Sequence, residues 1–440
     1  MTNKPRIAII GAGVSGLAAA IRLVRAGQTN ITLFEARREA SGRTRSYTDA
    51  HTGDTLDNGQ HLLMGCYSAT LEYLKEIGTD KLIERTPLRI PFWSETGVRS
   101  FTIDRSLPPP MNLLSAVART SMLTFGEKKS ASILGNAIWR MKLPNKFERM
   151  SCNDLFLALG QTPALVEKLW APMVLATINA RPEQASAELF VNVLREAFFS
   201  SRAASALLIP KVGLSELLVE PAIKEFKDRG IDIRLGAPIR KITPEGERGF
   251  SVATDSEETE FHAVISTIHS LLPESPTRDT RNPIPDSPSP IVNAYFWFDK
   301  QIFNAPIHAF IGTTLQWAFP KKSSFSAERV ALTVSAADAL AEKTNEEIRD
   351  ILLGDLQKTV PAARDAKLIH YQIIREKRAT PLFTAEANRR RPTTKTDIPN
   401  FYLAGDFVQN GLPATIEGAV RNGFAAADAL IESVRAGNRA

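Results

Sequence analysis

Residues Arg6 to Glu35 read RIAIIGAGVSGLAAAIRLVRAGQTNITLFE, and the punctuation of this stretch decides the fold. Ile7 to Ile10 is a short apolar run of the kind carried by strands buried on both faces. Gly11, Gly13 and Gly16 follow at G-x-G-x-x-G spacing, and the pattern predicts a helix over Val14 to Arg25 that starts inside the motif and is closed by Gly27. Ile31 to Phe34 is a second buried strand, ending on Glu35. The glycines have distinct tasks: the first permits a tight turn, the second lets backbone N–H groups approach a pyrophosphate, and the third lets helix and strand pack closely. The anion would then sit on the positive end of the helix, where Val14 and Ser15 begin it. Glu35 stands about twenty residues past the last glycine, where an acid can hold a ribose hydroxyl. A glycine-rich turn with no ligand is the competing reading. Strand, helix, second strand and acid in phase favour a dinucleotide, without yet saying which.

At 440 residues the chain is too long for one simple core, and two domains are expected. With 43% hydrophobic and 23% charged residues it reads as an ordinary globular protein, not a disordered or fibrous one. Cys66 and Cys152 are its two cysteines, read as reduced thiols in a reducing compartment. Lys4 and Arg6 precede an apolar stretch, but Arg22 and Arg25 interrupt it and its removal would delete the dinucleotide motif. A signal peptide is therefore not expected, and the location is read as cytoplasmic. No run of 18 apolar residues is present to span a membrane. The net charge of +6 permits attraction to anionic surfaces, but no nucleic-acid motif accompanies it, nor any metal-ligand set.

Ala36 to Tyr47 reads ARREASGRTRSY, in which Gly42-Arg43 is followed by Thr44 and Ser46. This resembles the second glycine motif, R-x-G-G-R-x-x-S/T, of flavoproteins of the amine oxidase and phytoene desaturase superfamily. Ser41 departs from it, standing where glycine is usual. The resemblance implies FAD, with the loop from Ala36 wrapping the pyrophosphate and Arg37 or Arg43 neutralising it. The competing reading is a solvated basic loop. Leu56 to His61 reads LDNGQH and more narrowly resembles hydroxysqualene dehydroxylases. By resemblance Gly59, Gln60 and His61 run past the flavin ring. His61 is either an acid for a leaving hydroxyl or a structural hydrogen-bonding group of the loop.

The resemblance continues along the chain. KLWAPMVLATINARPEQASAELF (168–190) is similar to the helical segment that lines the substrate tunnel, with Ala176, Asn179, Pro182, Ala185 and Ser186 matching. Ile239 takes the place of a residue offering its backbone to adenine. Glu376 to Thr380 (EKRAT) also matches the family. Near the C-terminus, Gly405-Asp406 implies a carboxylate on the ribityl or pyrophosphate side of FAD. Leu412, Pro413, Ala414 and Thr415 then form the start of a helix whose positive end faces the pyrimidine edge. His269 is read as structural.

The expected fold is α/β: a three-layer Rossmann-like FAD-binding domain over 1–80, 205–270 and 395–440. A second, substrate-binding domain over 81–204 and 271–394 has a mixed or antiparallel sheet and a helical lid. Element by element, helices are expected from Met111 to Lys146, after Asp154, from Pro163 through Trp170, from Ser215 to Asp228 with Ser215 as cap, from Ala337 to Leu356, and from near Pro413. Phe198 to Ile209 reads as loop, and Pro273 to Pro290 as a linker. Phe296, Trp297, Trp317 and Phe319 suit a core more than a substrate wall. Basic residues interleaved with Trp139 make the 111–146 region a candidate for peripheral contact with the inner face of the cell membrane. By resemblance, the reaction is reductive removal of the hydroxyl of hydroxysqualene to give squalene, with hydride from reduced flavin N5. One dinucleotide motif is present, so a dedicated NAD(P)H domain is not expected, and the electron donor is unidentified. A phytoene-type desaturase, an amine oxidase and a non-catalytic isoprenoid carrier are the alternatives.

Overall fold

A computed structural model describes residues 5–104, 106–246, 249–271, 273 and 287–437. Its first sheet is five-stranded and parallel, in the order Asp232–Leu235, Ile31–Glu35, Ile7–Ile10, Ala263–Ser266, Phe401–Leu403. The strand side-chain period of two splits the first run cleanly. Ile7 and Ile9 pack into a core with the helices Val14–Arg25 and Ile416–Gly437, whereas Ala8 and Ile10 face the antiparallel strands Lys241–Pro244, Phe250–Ala253 and Glu258–Phe261. Three layers result. The two helices touch backbone to backbone: a Cβ on Gly423 would lie 2.3 Å from the Ser15 carbonyl oxygen.

The second sheet has seven strands, in the order Leu368–Pro381, Pro288–Phe298, Glu328–Ser335, Trp317–Lys321, His308–Phe310, Arg89–Ser94, Gly97–Thr102. All pairs are antiparallel except His308–Phe310 with Arg89–Ser94. The long strand Pro288–Phe298 again alternates. Phe296 and Phe298 pack towards the helix Asn345–Thr359, and Tyr295 and Trp297 towards the helical segments between 111 and 199. Trp317 and Phe319 join the latter core, so all four aromatic residues named above are buried.

Local details differ from expectation where a neighbour overrides the sequence signal. Ser215 does not cap its helix. Gly213 does, and the Ser215 hydroxyl instead accepts from the Ser46 N–H at 2.8 Å. That helix is also broken at Val219, giving Leu214–Leu218 and Glu220–Asp228. Asp154 is the third residue of Cys152–Ala158, closing a capping box with Ser151. The 111–146 region forms two helices, Met111–Arg119 and Phe125–Trp139, and the 337–356 region divides into Asp338–Ala341 and Asn345–Thr359. The C-terminal helix starts at Ile416. Phe198 and Phe199 end a π-helical turn, and Leu207–Pro210 is a strand paired with Ile83–Thr86. Most of the predicted linker lies outside the described residues, but Pro288 to Pro290 begin the second strand of the large sheet, Pro288–Phe298.

Candidate active site

The glycine motif, Glu35, Thr267 and Ala404 all sit where parallel strands of the first sheet end, the usual place for ligands in such sheets. Gly42 has φ +58, and a Cβ on it would lie 3.1 Å from the Gly13 Cα. Two loops thus face each other with no side chain between them, and the Val14–Arg25 helix opens there, capped by Gly13 without any side-chain hydrogen bond. Ser41 is tolerated because the left-handed residue is Gly42; the Ser41 carbonyl accepts from the N–H and the hydroxyl of Thr44. Ser15 Oγ is buried and has no hydrogen-bond partner in the protein. An orphaned hydroxyl beside a helix N-terminus and a cradle that a Cβ would fill are what a pyrophosphate requires.

Glu35 accepts from the Ala12 N–H at 2.9 Å through one oxygen and from the Arg37 N–H at 3.0 Å through the other. Each oxygen keeps a lone pair. Arg37 donates to the Gly42 carbonyl. Beside them a cavity of about 190 Å³ is lined by Phe34, Ala36, Pro238, Ile239 and Ile268. It has the apolar walls a flat base would occupy, and Ile239 and Ala36 both line it.

The loop carrying Gly59, Gln60 and His61 is bolted to the seven-stranded sheet on one side and to Ser46 and the start of the helix Leu214–Leu218 on the other. The Asp57 carboxylate accepts from Ser46 and from the Leu214 N–H, and its carbonyl from the Tyr295 hydroxyl. Asn58 donates to Glu376 at 3.1 Å, and Asn293 donates to the Asn58 carbonyl. Gln60 donates to the carbonyl of His61. The His61 Nδ1 lies 2.7 Å from the Gly59 carbonyl oxygen. A carbonyl only accepts, so Nδ1 carries the proton and the neutral ring presents Nε2 as an acceptor. Burial holds the His61 pKa below its ordinary value, with Arg43 adding to the effect. The ring therefore rests neutral at pH 7.

Arg43 bonds the Ala379 carbonyl at 2.8 Å and pairs with Asp406 at 2.7 Å. Two motifs from opposite ends of the chain meet in that ion pair, and Arg43 is held above its usual pKa by Asp406. The Arg43 charge is thus already matched within the protein. The tunnel segment is less uniform than expected. Asn179 spends its side chain on Thr380, on the Ser289 carbonyl and on the Ala336 N–H, and Ser186 caps the helix Ala187–Leu194. Both are buried supports, while Ala176 is exposed.

Arg391 is the largest omission from the sequence reading. Its buried guanidinium donates to the carbonyls of Asp406, Phe407, Val408 and Leu412 and lies over the Phe383 ring, 4.3 Å from its centroid. Burial lowers its pKa to about 10. Asn422 adds bonds to the carbonyls of Gly405 and Val408. These residues shape the loop from Gly405 to Leu412, which delivers buried Leu412 and Pro413 and half-buried Ala414 and Thr415 to the start of the last helix. The Thr415 hydroxyl accepts from the Gly418 N–H and so caps that helix. Glu417, fully buried, accepts from the N–H groups of Ala69 and Thr70 at the start of the helix Ser68–Glu76 and pairs with Arg421. An acid one turn into an apolar GLPATIEGA stretch was the available signal for Glu417. Arg391, in an Arg-Arg-Arg-Pro run, offered none. No cluster of metal-ligating side chains occurs among the described residues.

The model of the flavin-containing amine oxidoreductase family matches residues 14–431. The chain is 33% identical over 437 residues to the hydroxysqualene dehydroxylase of Rhodopseudomonas palustris, covering 97% of this chain and 99% of that protein. It is 23% identical to the 15-cis-phytoene desaturase of Synechococcus elongatus, over 97% and 96%. Its fold is similar to that of the cyclohexylamine oxidase of Brevibacterium oxydans, with a TM-score of 0.74 at 14% identity, over 98% and 100% of the two chains. The family match and the full-length similarity together place this chain among the flavin-containing amine oxidoreductases, in the hydroxysqualene dehydroxylase family.

Proposed function

We propose that this protein is a FAD-dependent hydroxysqualene dehydroxylase, replacing the hydroxyl of hydroxysqualene by hydrogen to give squalene. The full-length similarity to a hydroxysqualene dehydroxylase carries the reading. The site supports FAD through the Gly13–Gly42 cradle, the free Ser15 hydroxyl and the cavity at Ile239. In this reading residues 1–80, 205–270 and 395–440 hold FAD, and 81–204 with 271–394 hold the substrate. Ser15 and the first N–H groups of the Val14–Arg25 helix hold the pyrophosphate, Glu35 the ribose, and Asp406 orients Arg43 beside the ribityl chain. The helix start at Leu412 to Thr415 supplies a positive end for the pyrimidine edge.

Reduced FAD supplies the hydride, and an external donor supplies its electrons. The protein has three tasks: to exclude water, to hold the hydroxyl, and to deliver the proton with which it leaves as water. His61 Nε2 is the acceptor for the substrate hydroxyl while the ring is neutral. Once Nε2 is protonated it becomes the donor, because Gly59 keeps the other nitrogen occupied. Apolar walls suit both a polyene and the electron-poor carbon left as the oxygen departs.

The test is mass-spectrometric product analysis after anaerobic incubation of chemically reduced enzyme with hydroxysqualene, and of oxidised enzyme with phytoene. Squalene from the first and unchanged phytoene in the second are expected. Desaturated phytoene without squalene would overturn the proposal in favour of a desaturase.

A further inference from the structure

The helices Met111–Arg119 and Phe125–Trp139 carry a surface that the cofactor site does not use. Met111, Leu114, Phe125, Ile133 and Trp139 stand in solvent there, and Phe125, opening its helix, is 86% exposed. Phe125, Lys129 and Ile133 recur every four residues and share one stripe. Charge concentrates on the same stretch. Between residues 111 and 147 there are six cations (Arg119, Lys128, Lys129, Arg140, Lys142, Lys146) and one acid, Glu127, and of the six Arg119 is paired with Asp104. Glu127 is buried, bonded to Thr124 and paired with Lys168. The stretch therefore carries five more cations than acids, with no carboxylate of its own in water.

Beneath the two helices lies a small apolar cavity walled by Leu114, Val117, Gly135, Leu169, Trp170 and Phe198. Leu114 belongs both to the exposed face and to the cavity wall, so the cavity meets the surface at that point. Two π-helical turns, Val166–Trp170 and Arg195–Phe199, contribute the wall opposite. Such turns are rare and concentrate at functional sites. A second copy of the chain does not suit this face, because a two-fold contact would set one cationic patch against another. An occupant that is apolar inside and anionic at its surface does.

We propose that this face docks on a bilayer containing anionic phospholipid, and that an apolar ligand passes from the bilayer into the cavity beside Leu114. The docking stands on the surface alone; the identity of the ligand rests on the function proposed above. Flotation of the FAD-loaded enzyme with phosphatidylcholine vesicles, with and without phosphatidylglycerol, tests it. Wild type is expected to float with the phosphatidylglycerol vesicles and to be released by salt. Lys129→Gln with Lys142→Gln should weaken partition about fivefold per lysine removed, and Phe125→Ser with Trp139→Ser should abolish it. Both variants should keep FAD absorbance and detergent-micelle turnover at wild-type levels. Equal flotation with both vesicle types, no flotation, or variants that float like wild type would overturn the docking. So would a dimer in lipid-free solution that Phe125→Ser converts to monomer, since a second copy would then cover the face. Normal vesicle behaviour without squalene formation in micelles would sink the functional reading and leave the docking standing.

Discussion

His308 and His61 show how one hydrogen-bond partner fixes what an imidazole can do. The His308 ring is buried, accepts from the Trp93 indole N–H at Nδ1 and donates from Nε2 to the Ala305 carbonyl. Neither nitrogen can take a second proton without breaking a bond, and burial lowers its pKa from 6.5 to about 4. The unfolded chain therefore binds this proton first as pH falls. Stability from this residue is intact above pH 6.5 and declines to pH 4 by about 3 kcal/mol. Urea unfolding at pH 7 and pH 4.5 checks this: His308→Gln, though less stable at pH 7, should lose less between the two. His61 differs in having Nε2 open to a ligand. If it is the proton donor, turnover of pre-reduced enzyme should rise as pH falls towards its depressed pKa, and His61→Gln should flatten the profile and cost about 100-fold or more. A wild-type profile that is already flat would assign the proton to another group.

At the scale of the element, the loop after Phe401–Leu403 is held by a residue outside it. Four carbonyls from Asp406 to Leu412 converge on the Arg391 guanidinium, and no helix or strand bond replaces those contacts. Arg391→Ala leaves the Asp406, Phe407 and Leu412 acceptors unpaired, Val408 keeping its bond from Asn422, and should destabilise the protein by at least about 3 kcal/mol. The ratio of flavin to protein absorbance after purification should fall with it, because Asp406 and the start of the last helix lose their position. Arg391→Lys, with three donors in place of a planar fork, should restore only part of both. Full flavin occupancy in Arg391→Ala would show that the loop holds its shape alone. Glu417 plays the corresponding part between helices, satisfying the first N–H groups of Ser68–Glu76 from the last helix of the chain.

For the whole molecule, the loops that carry Arg43 and Asn58 are joined to the seven-stranded sheet by Arg43 to Ala379, Asn58 to Glu376 and Tyr295 to Asp57. In the proposed site a cofactor spanning the cradle and the His61 loop would tie the same parts together, so its removal should be felt globally. Apoprotein should melt below holoprotein, and FAD at a hundred times its Kd should restore about 2.7 kcal/mol. Calorimetry across a FAD titration checks this, and a melting temperature independent of FAD would place the cofactor off the folded core. Among the described residues no helix is long and apolar enough to cross a membrane.

The sequence alone determined the cofactor half of the molecule. Gly11 to Glu35 is a local unit in which turn, helix start and acid follow at fixed spacing, and its strand is apolar at every position because both faces are covered. Gly42-Arg43 and Gly405-Asp406 were legible for the same reason, as short motifs whose backbone demands are written in the residues themselves. What only the tertiary structure decided is pairing across distance. That Arg43 spends its charge on Asp406, that Asn179 supports backbone, that Arg391 gathers a loop and that His61 keeps Nε2 free all depend on partners brought close by folding. A side chain's hydrogen-bonding capacity is readable from its identity. Which part of that capacity is left for a ligand is set by what the fold has already used.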